Sequence, residues 1–87
     1  MMLVDSHCHL DFPELVEDIA GVLADMKQRD VSHALCVSVT LEDFPKVRAL
    51  AEQHANLYAS VGTHPDYPDH PVVTPEELVR LAEHPKV

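Results

Sequence analysis

The 87-residue sequence predicts an α/β fold built from parallel βα units. Two observations carry this. Three short apolar runs, MLVDSHCHL (2–10), HALCVSVT (33–40) and NLYASVGTHPD (56–66), each lead through a polar turn into a segment whose apolar residues recur at helical spacing. The runs also alternate little between polar and apolar residues, the pattern of strands covered on both faces. Helices between consecutive strands make those strands parallel, with right-handed crossovers. A unit of about thirty residues suits a (β/α) barrel or a doubly wound sheet.

Each element has its own signals. Pro13 opens the first helix, with Asp11 or Phe12 just outside it, and Leu15, Ile19, Val22, Leu23 and Met26 fall on one stripe. Gly21 inside that helix costs about 1 kcal/mol against Ala. KQRD (27–30) ends it with basic residues that suit the C-terminal dipole. Asp43 and Pro45 start a second helix, with Phe44, Val47, Leu50, Ala51 and His54 on its buried side. A loop containing Pro65, Pro68 and Pro71 precedes TPEEL (74–78), which reads as a capping box between Thr74 and Glu77 with Pro75 at the first helical position. Leu78, Val79, Leu81 and Ala82 follow. EHPKV (83–87) then reads as a Pro-broken helix end leading into a fourth strand. Three βα units leave both sheet edges unpaired, and an eight-unit barrel needs about 250 residues. The expectation is a truncated arrangement, the first third of something longer.

Composition narrows the function. The chain is 46% hydrophobic, which excludes a disordered segment. Fifteen acidic against six basic residues give a net charge of −9 and argue against a broad basic surface for nucleic acid or an anionic membrane. A local phosphate site bridged by a cation stays open, because a bound ion can dominate the local charge. Cys8 and Cys36 form no CxxC pair and sit in apolar runs, so they read as buried free thiols. The N-terminus has no basic region before its apolar stretch, and no run approaches the ~20 residues of a membrane helix. A soluble, cytoplasmic protein with no membrane partner is expected.

The chemistry gathers where strands end and helices begin. In VDSHCHLD (4–11) strand alternation puts Asp5, His7 and His9 on one face and Val4, Ser6, Cys8 and Leu10 on the other. Two imidazoles there read either as half of a metal site or as hydrogen-bonded polar residues at a strand end. Asp5, one pleat deeper, is placed to orient an imidazole through its other ring nitrogen. In VGTHPD (61–66), Pro65 biases His64 toward extended backbone, so the third strand should persist to it and present it on the same side. His64 then meets a substrate oxyanion, or is a surface histidine beside a loop. His54 and His84 suit helix C-termini, His33 precedes the second strand at the far end, and Asp69 and His70 lie in a solvated loop on the functional side.

VDSHCHLD, VGTHPD and the ending HPKV together resemble the TatD family of metal-dependent hydrolases over essentially all 87 residues. The resemblance implies the first three units of a (β/α)8 TIM-barrel-like fold, with residues 1–87 as the N-terminal part of one hydrolase domain. It implies a divalent metal ion (Mg, Mn or Zn) held by His7 and His9, with Asp5 behind them and His64 at the substrate phosphate. The substrate implied is DNA, cleaved by a deoxyribonuclease, with 3′–5′ exonucleases among the family's members. The family's glutamate, two further histidines and aspartate would follow Val87, so this chain alone is expected to be inactive. Two other readings accompany this one: an assembly module that self-associates through its open sheet edges, and a C–N hydrolase of the wider amidohydrolase type.

Overall fold

In the computed structural model of the chain, which describes residues 1–67 and 73–87, three parallel strands pair in the order β1 (Leu3–Cys8), β2 (Val31–Cys36), β3 (Leu57–Ala59). The first crossover holds α1 (Pro13–Val16) and α2 (Ile19–Gln28), the second α3 (Phe44–Gln53), and α4 (Pro75–Ala82) follows β3. Parallel βα units are therefore present, as an open sheet rather than a closed barrel. The expected Asp69 and His70 lie outside the described residues.

The core sits between one face of the sheet and the helices. Ala34 and Cys36 of β2, Leu57 and Ala59 of β3, and Val47, Leu50 and Ala51 of α3 are buried together with Leu10. Phe44 and Val47 are among the largest fully buried side chains, each contributing roughly 1.5–3 kcal/mol of apolar burial. Only one face is covered: in β3, Tyr58 is exposed between buried Leu57 and Ala59. The continuous apolar runs thus exceed the two-sided burial that the described residues supply. β1 is the most open strand, with Leu3 and Val4 exposed at its outer edge.

The strands are shorter than the apolar runs. β3 ends at Ala59, not at His64, yet the chain continues beside β2, with the Ser60 N–H donating to the Cys36 carbonyl at 3.0 Å and the His64 N–H to the Val39 carbonyl at 2.7 Å. β2 begins at Val31, so His33 lies inside it and is exposed there. HPKV forms no strand, although the Lys86 carbonyl accepts from the Ala59 N–H at 2.9 Å.

Helix starts follow side-chain chemistry. In the turn ahead of α3 the Thr40 hydroxyl accepts from the Asp43 N–H and donates to the Asp43 carboxylate, each at 3.1 Å. The Thr74 hydroxyl accepts from the Glu77 N–H at 3.2 Å, as expected. The first helix is the exception. It breaks at Glu17–Asp18, and the Asp18 carboxylate accepts from the Gly21 N–H at 3.2 Å to start α2 anew. Leu15 is consequently exposed, while Ile19, Val22, Leu23 and Met26 pack on the core. Gly21 is no interior defect either: a Cβ there would collide with the capping carboxylate. No helix among the described residues is long and apolar enough to cross a membrane.

Asp18 and Gly21 should therefore be energetically coupled. Asp18→Ala is expected to lose about 1 kcal/mol of stability with the cap. Gly21→Ala should give none of its usual gain in the native background, but about 1 kcal/mol once Asp18 is alanine. Denaturant unfolding of the double-mutant cycle measures this, and additive effects would contradict it.

Candidate functional site

The HxH segment lies where β1 ends and turns toward α1. Between the Asp5–Ala34 and Cys8–Cys36 pairs, β1 carries one residue more than β2. Such an insertion bends a strand and re-aims its side chains. It also breaks the strict alternation on which a shared face for Asp5, His7 and His9 rests. The Asp5 carboxylate accepts from the His7 backbone N–H at 3.0 Å, so it fixes the strand's local turn rather than an imidazole.

His7 and His9 remain together. Their rings meet edge to face with centroids 5.2 Å apart. His9 is the more tightly held. Its Nδ1 lies 3.1 Å from the Val37 carbonyl, and a carbonyl can only accept, so this nitrogen carries the proton. In the neutral ring Nε2 then keeps its lone pair for a ligand, the arrangement that backbone carbonyls commonly impose on metal-binding histidines. Phe12 stacks on the same ring at 4.7 Å between centroids and 18° between planes. One polar contact and one apolar face together define the ring's orientation.

Nearby groups complete the picture. Asp11 Oδ1 is buried without a hydrogen-bond partner. Burial pushes its carboxyl above the ordinary range, partly offset by a backbone hydrogen bond and by His9. Asp11 also lines a cavity of about 290 Å³ with Val16, Lys46, Ala49, Leu50 and Gln53. A larger cavity of about 380 Å³ opens at the opposite ends of the strands, beside Met2, Asp30 and Asn56, away from this chemistry.

His64 is anchored through its backbone on Val39, two residues beyond the carbonyl that holds His9. Its exposed ring faces its own loop: Nδ1 accepts from the Asp66 N–H at 3.1 Å and Tyr67 packs edge-on at 6.0 Å. Among the described residues, no group of three or more His, Cys, Asp or Glu side chains converges tightly enough to hold a metal. Two imidazoles are ligands of the kind a borderline divalent ion takes, and two ligands would be half of a four-coordinate shell. Of the remaining histidines, His54 caps α3 and His84 accepts from the Lys86 N–H at 3.0 Å.

Three participants escape sequence reasoning. The Val37 carbonyl has no side-chain signature, and Phe12 reads as a helix flank. Asp11 carried a visible signal, a carboxylate directly after the HxH motif. The structure predicts that His9 is the Nδ1–H tautomer in the metal-free protein, checked by long-range nitrogen–proton NMR correlations. Phe12→Ala should broaden or shift the His9 ring signals while leaving those of His54 and His84 unmoved. A dominant Nε2–H tautomer would contradict the arrangement.

Comparison with known proteins places this geometry in a lineage. The profile of the TatD related DNase family matches residues 4–87. The chain is 41% identical to the uncharacterized metal-dependent hydrolase YcfH of Escherichia coli K12, over 94% of this chain and 32% of that protein. Deoxyribonuclease TATDN3 of Homo sapiens is 33% identical over 72% of this chain and 23% of its own length. The crystal structure of YjjV, a TatD homolog from Escherichia coli K12, superposes with a TM-score of 0.84 at 34% identity, covering 98% of this chain and 33% of that one. The chain thus spans between 23% and 32% of the length of the curated relatives it matches. Profile, sequence and fold agree: the chain belongs to the TatD-related DNase family.

Proposed function

We propose that the whole protein bearing this segment is a metal-dependent phosphodiesterase acting on DNA, and that residues 1–87 are the N-terminal part of its single barrel domain. The observation that carries this reading is the His7–His9 pair, with His9 Nδ1 held by Val37 and Nε2 left for a ligand. His7 and His9 would hold part of a divalent ion's shell, with Mg, Mn and Zn as the ions to test. Such an ion supplies Lewis acidity toward a phosphoryl oxygen and toward water.

The chain's own residues do the positioning. Val37 and Phe12 keep the His9 ring from rotating, so less ordering remains to be imposed when an ion binds. Asp5 holds the backbone at His7. His64 would bind a substrate phosphate, and its backbone anchor on Val39 keeps it on the same extension of β2 that orients His9. The net charge of −9 on residues 1–87 gives this part of the protein no broad basic surface for DNA. Affinity for phosphate would instead come through the ion. DNA as the substrate is supported by the family's description and by the deoxyribonuclease named among the relatives; exonucleolytic 3′–5′ action is the mode to test first.

A second reading draws on the exposed residues of β1, where Leu3 and Val4 flank a strand edge without a partner among the described residues. Such an edge can pair with a second copy of the chain. Sedimentation of the 87-residue chain separates the two: a concentration-independent monomer removes the assembly reading.

His7→Ala and His9→Ala in the whole protein should each lower divalent-ion affinity and DNA hydrolysis by about 100-fold or more, since even losses behind the ligands cost 10–100-fold. Chelation should abolish cleavage and added ion restore it. Cleavage at native rates by both variants would overturn the proposal. Hydrolysis of amide substrates in place of phosphodiesters would redirect it to C–N chemistry.

A further inference from the structure

The two cysteines are direct neighbours across the sheet. Cys8 and Cys36 are register partners in adjacent parallel strands, and their Sγ atoms lie 4.0 Å apart. Both are free thiols. The Cys8 S–H also reaches the Leu35 carbonyl at 3.4 Å, so its sulfur is already turned toward β2. Cys36 is fully buried, whereas Cys8 is half-buried at the edge of the core. Backbone separation between paired residues in adjacent strands falls within the range a disulfide spans.

We propose that Cys8 and Cys36 form an oxidation site, in which a hydroperoxide converts the thiol pair into a strand-to-strand disulfide at the base of the histidine pair. The hydrogen bond between the two sulfurs raises the pKa of the Cys8 thiol and lowers that of Cys36, so accessibility rather than acidity makes Cys8 the first to react. Its sulfur attacks the peroxide, the O–O bond breaks, and the Cys8 proton leaves with the departing hydroxide as water, giving a sulfenic acid at Cys8. The Cys36 sulfur then attacks Cys8, the S–S bond forms, and the S–O bond breaks with release of a second water. Two thiols and one hydrogen peroxide give one disulfide and two waters.

Location gives the bond its significance. Cys8 stands between His7 and His9, and Cys36 directly precedes Val37, whose carbonyl orients His9. The cross-link joins the two backbone segments that set the ring, so oxidation acts where the histidines are positioned. Burial of Cys36 gives it one thiol within reach and none from another molecule, which favours the intrachain bond over dimers. The inference does not depend on the phosphodiesterase reading, because it concerns thiols that reading does not use.

The test treats the folded protein with hydrogen peroxide, alkylates remaining thiols under denaturing conditions, and measures intact mass and non-reduced peptides. The expected product has Cys8 and Cys36 unalkylated and joined in one cross-linked peptide pair two hydrogens lighter than the reduced pair; a reductant restores the labelling of both. In Cys36→Ser, Cys8 should stop at a sulfenic acid that dimedone traps. Full alkylation of both cysteines after treatment, or sulfonic acid at Cys8 beside an alkylated Cys36, would overturn the site, as would intermolecular dimers. If Cys36→Ser fails to fold, the wild-type mass and peptide map decide alone.

Discussion

The parallel pairing of β1 with β2 is the constraint on which everything else depends. It sets Cys8 opposite Cys36, and so brings the backbone just past each strand into contact: the Val37 N–H donates to the Cys8 carbonyl at 2.8 Å, and the Val37 carbonyl meets His9 Nδ1. One residue of β2's extension therefore both continues the ladder and orients the imidazole. A register slip of one residue would turn the side chains to the opposite face, and would separate the histidine from its anchor. The energetic root of this register is the shared core. Ala34 and Cys36 of β2 and Leu57 of β3 are buried in one cluster with Val47, Leu50 and Ala51 of α3.

Function follows from how unevenly that core is distributed. β2 and β3 carry buried residues, β2 packing on α2 and β3 on α3, whereas β1 is exposed along most of its length. The histidine pair thus straddles the end of the least buried strand, held there by hydrogen bonds, a stacked ring and the buried Leu10. Strand ends in parallel α/β proteins are where backbone pairing stops and side chains become free for ligands. The second strand serves as the rigid reference here, with Val37 and Val39 supplying carbonyls to His9 and to the His64 backbone.

Much of this was legible in the sequence, for physical reasons that can be named. The strand–helix alternation and the Phe44, Val47, Leu50, Ala51 stripe are long-period signals, and tertiary packing reinforces them. Thr74 announced its helix because a hydroxyl before Pro75 has few better uses. The break in the first helix has no clear sequence signature, because Asp18 and Gly21 look like ordinary surface and defect residues. Their bond breaks one apparent helix into two. β3 was overextended because its apolar run continues past the end of its ladder. At the site, the identities of His7, His9 and His64 could be picked out as chemistry-bearing residues. Their orientation could not, since it rests on the Val37 carbonyl and on an extra β1 residue between Asp5 and Cys8, features of the backbone that no side-chain pattern encodes.

The most direct measurement is anomalous diffraction from crystals of the whole protein grown with zinc or manganese. An anomalous peak bonded by His7 and by Nε2 of His9 is expected, at the 2.0–2.1 Å typical of zinc and imidazole, with Nδ1 of His9 still on the Val37 carbonyl. A metal bound through His9 Nδ1, or ordered metal peaks that leave His7 and His9 uncoordinated, would contradict it.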